Sequence, residues 1–453
     1  MNYQQAWEFL DNLQFFKIKL GLDSMTGFLD SVDHPQQNLR FVHIAGTNGK
    51  GSVAITLQKI LALSGYQVGL FTSPHLSSVR ERFRINDRFI SRADFARHAT
   101  RIRQVLGDRQ ITYFEFTTAL ALLWFAAQKV DLVILEVGMG GRLDATNVIR
   151  PLVSVITNVT MDHEAYLGNT LSQVATEKAG IIKPGVPVVS GVALDVSREV
   201  VAETCGRLEA PLYLLGRDFH VAHKAGGGCW GYTGLRPAGR RLSELRCGLV
   251  GVHQQDNAAL VLATLELLET EGFHAPEDNI RQGLLQVRWP ARLEHFCLDM
   301  AFDSGRLVDC PTDLDAPKPA TLRRFLIDGA HNPAGVASLK LTLEKEFPRR
   351  KLFMIWGSMT DKDATSGLAM LAPLCDVIIF TRPAGERSAE PESLPALLTS
   401  DQRNKAVCKL KVVEALQVAM EQASAVDLII IAGSLYLAGE TRKHLLGELV
   451  EHD

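Results

Sequence analysis

Residues 41–52 read F-V-H-I-A-G-T-N-G-K-G-S: an apolar run that ends in three glycines, a lysine and a serine. A strand, a glycine-rich turn and a helix N-terminus in that order gather backbone N–H groups around phosphate. Lys50 adds a positive charge, and Ser52 a hydroxyl for a magnesium ion. Thr47, Asn48, Gly49 and Gly51 complete the loop. The widespread phosphate-loop pattern places Ser or Thr directly after its lysine. Here Gly51 intervenes, and Ile44 stands where that pattern begins with Gly. The residues predict nucleotide phosphate binding.

Other polar residues fall where strands should end. Leu132–Glu136 is a buried-strand pattern closed by an acid and followed by V-G-M-G-G-R. An acid at the C-terminal end of a parallel strand beside a phosphate loop can hold magnesium; alone it would read as a solvated strand end. Asp162 and His163 follow a Thr157-Asn158 turn and leave the same predicted sheet edge as Lys50 and Glu136. A lone histidine is usually an ordinary hydrogen-bonded residue, so the shared edge carries the argument. Residues 177–185, E-K-A-G-I-I-K-P-G, read by themselves as a helix C-terminus with favourable cations, a glycine cap and a proline stop. In the second half, D-G-A-H-N-P from Asp328 ends one strand and starts a helix with Pro in its first turn. Asp361-Lys362-Asp363 is similar to the guanine-reading N-K-x-D signal but lacks its Asn. Arg292 either reaches phosphates from the second half or is a surface cation.

The elements that must position these residues alternate strand and helix, which predicts parallel sheets with crossover helices. Strands are expected at 41–44, 67–71, 132–136, 152–157 and 186–190, and then at 325–328, 351–356, 377–381 and 428–432. Helices are expected at 52–64, 116–129 and 254–271, and Thr170 with Gln173 gives a capping-box start for one ending near Ala179. Residues 217–249, rich in Gly and short polar residues, suggest hairpins or irregular structure. Val287-Arg288-Trp289-Pro290 reads as a linker. The chain of 453 residues exceeds one ordinary core. The fold class is therefore α/β. A P-loop-type ATPase domain with a mainly parallel sheet spans 1–287, and a smaller Rossmann-like domain spans 288–453.

Composition narrows the options. A net charge of −3 gives no basic excess for non-specific nucleic-acid binding. The N-terminus M-N-Y-Q-Q shows no secretion signal, and no apolar run reaches bilayer length. Seven scattered cysteines without a C-x-x-C pair fit a reduced cytoplasm and argue against a disulfide framework or zinc site.

Together these motifs resemble the folylpolyglutamate synthase and dihydrofolate synthase family, a branch of the Mur ligases. The resemblance runs through K-I-K-L-G-L-D from Lys17, the phosphate loop, T-S-P-H-L from Thr72 and R-E-R-F from Arg80. It continues with Y-F-E-F-T-T-A from Tyr113, Glu136, Asp162-His163, E-K-A-G-I-I-K-P-G, G-V-H-Q from Gly251 with Asn257, Arg292 and D-G-A-H-N-P. It implies an ATP-dependent carboxylate–amine ligase that adds L-glutamate to dihydropteroate and to reduced folates through an acyl phosphate. It implies ATP contacts at Thr47 to Ser52, Asn257, Arg292, Asp328 and His331. One or two magnesium ions would be held by Ser52, Ser73, Glu136 and His163. Catalytic roles fall to Lys50, His163 and Lys178, a lysine that many members carry as a carbamate. The pterin substrate is assigned to Leu20, Gly21, Leu22, Arg82, Tyr113, Phe114, Glu115 and Leu143, together with Asp162. A cytoplasmic monomer without nucleic-acid or membrane partners is implied. Two departures stand out: a long Cys297–Arg323 segment, and Asp23 where many relatives have Glu. A monofunctional folylpolyglutamate synthase, a peptidoglycan-type ligase and a nucleotide-controlled switch are the competing readings.

Overall fold

The computed structural model describes residues 1–13, 21–223, 229–235, 239–301, 305–311, 313, 315–385 and 387–450. Within them the first half of the chain builds an eight-stranded sheet. Its strands are β1 (Phe41–Ala45), β2 (Val68–Phe71), β3 (Phe83–Ile85), β4 (Arg88–Phe89), β5 (Leu132–Glu136), β6 (Val153–Ile156), β7 (Val188–Ser190) and β8 (Leu212–Leu214). They lie in the order β4-β3-β2-β5-β1-β6-β7-β8. Neighbours pair in parallel except along one edge, where β3 runs antiparallel to both β2 and β4. The central strands β1 and β5 are buried at every residue. That is what unbroken apolar runs such as L-V-I-L require when helices cover both sheet faces.

One face is packed by helices Lys50–Leu63 and Val252–Glu269, through residues such as Val53, Leu57, Leu260 and Leu265. The other is packed by Tyr113–Gln128, which buries Phe116, Leu120 and Phe125. Each fully buried Leu or Phe contributes about 1.5–3 kcal/mol. This last helix starts three residues earlier than the apolar pattern suggests, because Thr112 and Glu115 form a capping box. The helix after β1 likewise begins at Lys50, since Gly49 supplies a left-handed N-cap at φ 85°. Residues 217–249 contain a three-stranded antiparallel sheet of β9 (His220–His223), β10 (Trp230–Thr233) and β11 (Arg241–Leu245).

The second half forms a seven-stranded sheet from β12 (Glu294–Asp299), β13 (Arg306–Val308), β14 (Leu322–Ile327), β15 (Leu352–Trp356), β16 (Val377–Thr381), β17 (Ala406–Lys409) and β18 (Leu428–Ala432). The order is β13-β12-β14-β18-β15-β16-β17, with only β12 and β13 antiparallel to their neighbours. The strands that the sequence pattern did not mark, β3, β4, β8, β12, β13 and β17, are short, or at or beside sheet edges, where burial leaves a weak signal. No described helix is long and apolar enough to cross a membrane.

Just after the stretch read as a linker, Ala291 and Leu293 adopt left-handed φ values of 56° and 48°. Ala291 O accepts from Gly329 N at 2.8 Å, and Leu293 N donates to Asp328 Oδ2 at 2.8 Å. The expectation of unpaired cysteines is corrected. Cys297 and Cys310 form a disulfide with Cα atoms 5.3 Å apart, because the β12–β13 hairpin folds the chain back on itself. Spacing alone concealed that register.

Candidate active site

The chemistry-bearing residues converge at the C-terminal ends of β1, β5 and β6, where a parallel sheet leaves a crevice. The loop after β1 is braced by the turn after β6. Thr47 N donates to Asn158 O at 3.1 Å, Asn48 N to Asn158 Oδ1 at 2.9 Å, and Thr157 Oγ1 to Asn48 O at 2.6 Å. A Cβ at Gly49 would lie 2.6 Å from Asn257 Oδ1. Lys50 Nζ donates to Gly46 O at 2.9 Å and Thr47 O at 3.1 Å. Burial lowers its pKa, while Glu136 and Asp162 oppose that shift.

Ser52 Oγ accepts from Gln254 Nε2 at 3.3 Å, and Gln254 Oε1 accepts from Asn257 Nδ2 at 3.0 Å, which fixes the Asn257 amide. Glu136 is 4% exposed. Its Oε2 accepts from Ser73 N at 2.9 Å, leaving the acid aimed at the loop rather than at bulk solvent. Burial raises its pKa, and Lys50 with the Ser73 N–H works against this. On the far wall Asp328 accepts from Leu293 N and Ala330 N, both at 2.8 Å, with burial raising its pKa and Arg292 opposing. His331 Nδ1 lies 2.8 Å from Gly329 O, which assigns the proton to Nδ1 and frees Nε2 as an acceptor. Burial holds His331 and His163 down to about 4, so both rings are neutral at neutral pH.

All these groups line a cavity of about 540 Å³ between the two sheets. It collects every residue expected at ATP, namely Thr47 to Ser52, Asn257, Arg292, Asp328 and His331. It also collects every residue expected at the metal, namely Ser52, Ser73, Glu136 and His163. In this donor set the buried carboxylate and serine oxygens suit a hard divalent ion, and the neutral imidazole adds a borderline donor.

A second, more apolar cavity of about 340 Å³ opens beside it, lined by Gly21, Arg82, Tyr113, Phe114, Glu115 and Leu143 among others. Gly21 N reaches Leu143 O at 3.5 Å, closing one side. The Arg82 guanidinium lies 5.4 Å from the Tyr113 ring centroid and donates to His75 Nδ1 at 2.9 Å. Glu115 uses Oε2 to cap its own helix through Thr112 N, at 2.7 Å. Its buried Oε1 has no partner among the described residues, an acceptor awaiting a donor. The two cavities share Ser73, Pro74, Gly138, His163, His331 and Leu435 as walls.

Several expectations change. Leu20 lies outside the described residues. Leu22 is the N-cap of helix Asp23–Asp30 and lines neither cavity. Asp162 belongs to the larger cavity, where it joins the domains: Lys362 Nζ is 3.0 Å from Oδ1, and Asn332 Nδ2 donates to Oδ2 at 3.2 Å. Burial opposes ionisation of Asp162, but His163 and Lys362 outweigh it and hold the carboxyl below its ordinary range. Lys178 stands in the last turn of helix Leu171–Ala179, as its motif suggested, but lines neither cavity. It is 3% exposed, with its pKa lowered to about 7 by burial and by Lys50. Lys362 and Asn332, in motifs read for other roles, carry interdomain contacts, as do Ser338 and His253 at 2.8 Å; Met359, Arg387 and Tyr436 in the smaller cavity gave no sequence signal.

The Mur ligase middle domain matches residues 44–265, and the Mur ligase glutamate ligase domain matches residues 318–435. The chain is 36% identical over 430 residues to the folylpolyglutamate synthase of Lacticaseibacillus casei, covering 92% of this chain and 93% of that one. The structure of Escherichia coli FolC in complex with DHPP and ADP superposes with a TM-score of 0.84 at 28% identity, covering 98% of this chain and 97% of that one. That of the bifunctional folylpolyglutamate synthase/dihydrofolate synthase of Yersinia pestis, complexed with AMPPNP and Mn ion, gives 0.82 at 28% identity and covers 98% of each chain.

Proposed function

The chain belongs to the folylpolyglutamate synthase and dihydrofolate synthase family of Mur-type ligases, and from that premise we propose that it joins L-glutamate to both dihydropteroate and reduced folates. It is an ATP-dependent ligase. The observation that carries the reading is the shared wall of Ser73, His163 and His331, across which a polar, phosphate-suited cavity meets an apolar one. A triphosphate in the first and a pterin in the second bring the γ-phosphate to the carboxylate.

The carboxylate attacks the γ-phosphate, giving an acyl phosphate and ADP. The glutamate amine then adds to the acyl carbon, and phosphate leaves from the tetrahedral intermediate with the amide formed. This chemistry needs charge neutralisation and alignment more than a protein nucleophile. Lys50 exchanges its loop carbonyls for phosphate oxygens. Arg292, across the cavity, meets the same charge from the second domain. Ser52, Ser73, Glu136 and His163 are the residues that would hold magnesium, which would neutralise the phosphates. Asn257, Asp328 and His331 orient the nucleotide, and Arg82 with Tyr113 and Glu115 orients the pterin.

Lys178 is read as the carbamylated lysine. The neutral amine is the form that adds carbon dioxide, and a buried lysine at about 7 is about half neutral at pH 7. The product acid stands near Lys50, which lowers the unmodified amine's pKa now and would pair with the carbamate instead. The intact mass, with and without bicarbonate, tests this.

The decisive assay offers purified protein ATP, magnesium and glutamate with dihydropteroate or tetrahydrofolate separately. Both should release phosphate and gain one glutamyl mass. Turnover with only one acceptor reduces the reading to a single activity. No pterin-dependent phosphate release with either removes it.

A further inference from the structure

The β12–β13 hairpin carries three ligating side chains that the ligase reading does not use. Cys297 pairs opposite Val308, and Asp299 opposite Arg306. Cys310 follows two residues after the end of β13, and the period of two puts His295 and Cys297 on one face of β12. One ligand atom from each of His295, Cys297 and Cys310 lies within 4.8 Å of the other two. Cys297 is fully buried, and His295 and Cys310 are half-buried. The His295 ring stands edge-on to Phe347 with centroids 5.0 Å apart, which fixes its plane. Its Nε2 is buried without a hydrogen-bond partner among the described residues. None of the three lines either cavity.

We propose that in its dithiol state this hairpin is a zinc site, with Cys297 Sγ, Cys310 Sγ and His295 Nε2 as ligands and the fourth position open to water on the half-buried side. The disulfide is opened by a thiol or phosphine reductant, which supplies two electrons while the sulfurs take up two protons. Zinc then displaces both thiol protons, so binding releases two protons and leaves two thiolates and one neutral imidazole on the metal. Zinc holds thiolate at about 2.3 Å and imidazole at about 2.0–2.1 Å, so tetrahedral donors stand about 3.5–3.8 Å apart. To reach that spacing the two sulfurs, now bonded, must part, and the imidazole, within 4.8 Å of both, must close on them. Zinc satisfies the orphan imidazole nitrogen, which the disulfide cannot do. It also preserves a crosslink across residues 298–309 under reducing conditions. Soft sulfur donors separate this site from the oxygen-rich one that suits magnesium.

The test uses the full-length protein, reduced with a phosphine and stripped of metal, titrated with zinc against a chromogenic chelator and separately with cobalt. Wild type should take up one zinc per chain and show thiolate-to-cobalt charge-transfer absorption. Cys310→Ser should lose both, while His295→Gln should weaken zinc binding and still form the disulfide. The oxidised protein should bind no zinc here, and ligase turnover should be unchanged in either variant. Equal zinc uptake by wild type and both variants would assign the metal to other cysteines and overturn the proposal. So would no stoichiometric uptake by the reduced wild type. Should Cys310→Ser fail to fold, His295→Gln decides alone, because it leaves both sulfurs in place.

Discussion

Lys362→Met should cost turnover far more than folding. Lys362 Nζ lies 3.0 Å from Asp162 Oδ1, and the two side chains are only 16% and 11% exposed. At an effective dielectric of about 20, such charges attract by about 5–6 kcal/mol. Desolvation cancels part of that, and removing one partner of a buried pair costs about 3–5 kcal/mol. Asp162 keeps the Asn332 amide at 3.2 Å and the His163 N–H at 2.9 Å, which favours the lower end, about 3 kcal/mol. Because the pair joins the two domains where the two cavities meet, with Asp162 on the larger and Lys362 on the smaller, the loss falls on the closed arrangement. It should lower kcat/KM by about a hundredfold, at about 1.4 kcal/mol per factor of ten. The assay is a double-mutant cycle of Lys362→Met and Asp162→Asn on phosphate release, with circular dichroism to verify folding. A coupling of about 2–3 kcal/mol is expected. Additivity to within about 0.5 kcal/mol would show that the two residues act separately and would refute the latch. The folded Asp162 pKa is depressed, so its contribution is complete above the unfolded value near 4 and fades only as pH falls below it. Turnover between pH 5 and 8 should therefore not report loss of this pair.

Three further outcomes follow from the geometry. Glu136→Gln keeps the acceptor for Ser73 N–H but removes the charge, so the magnesium midpoint for activity should rise about tenfold or more; an unmoved midpoint removes Glu136 from the metal site. Gly49→Ala sets a side chain at φ 85° and 2.6 Å from Asn257 Oδ1, so KM for ATP should rise about tenfold from about 1–2 kcal/mol of strain; an unchanged KM in steady-state assays counts against the loop as nucleotide cradle. His43 is fully buried, with Nε2 2.9 Å from Thr146 Oγ1, and burial, reinforced by Lys183, lowers its pKa to about 3. Its folded pKa lies below the unfolded one, so the unfolded state binds the proton first as pH falls, and stability should drop by about 2 kcal/mol between pH 7 and pH 5. Thermal unfolding of His43→Gln should show a shallower pH slope than wild type, and equal slopes would dismiss the ring as a source.

The parts of the site legible in the sequence are those built from contiguous residues. The phosphate loop, the Glu136 strand end and the turn at Asp328 each carry a strand, a turn residue and a polar group within a dozen positions. The rest depends on distance along the chain. Lys362 meets Asp162 across 200 residues, and no periodicity forecasts such a pair. The Lys178 segment reads as a helix end, and its burial, set by segments distant in the chain, leaves no local trace. Glu115 is a mixed case: its T-x-x-E spacing announces a helix cap, and only the cavity gives its second oxygen a further purpose.

The joint between the halves has a consequence for Arg292. It sits between two residues forced into left-handed backbone, each anchored to the turn at Asp328–Gly329. The main chain fixes the root of its side chain against that turn. Any swing of the second domain therefore carries the root of this side chain with it, so the reach of the guanidinium into the nucleotide cavity depends on how far the halves have turned.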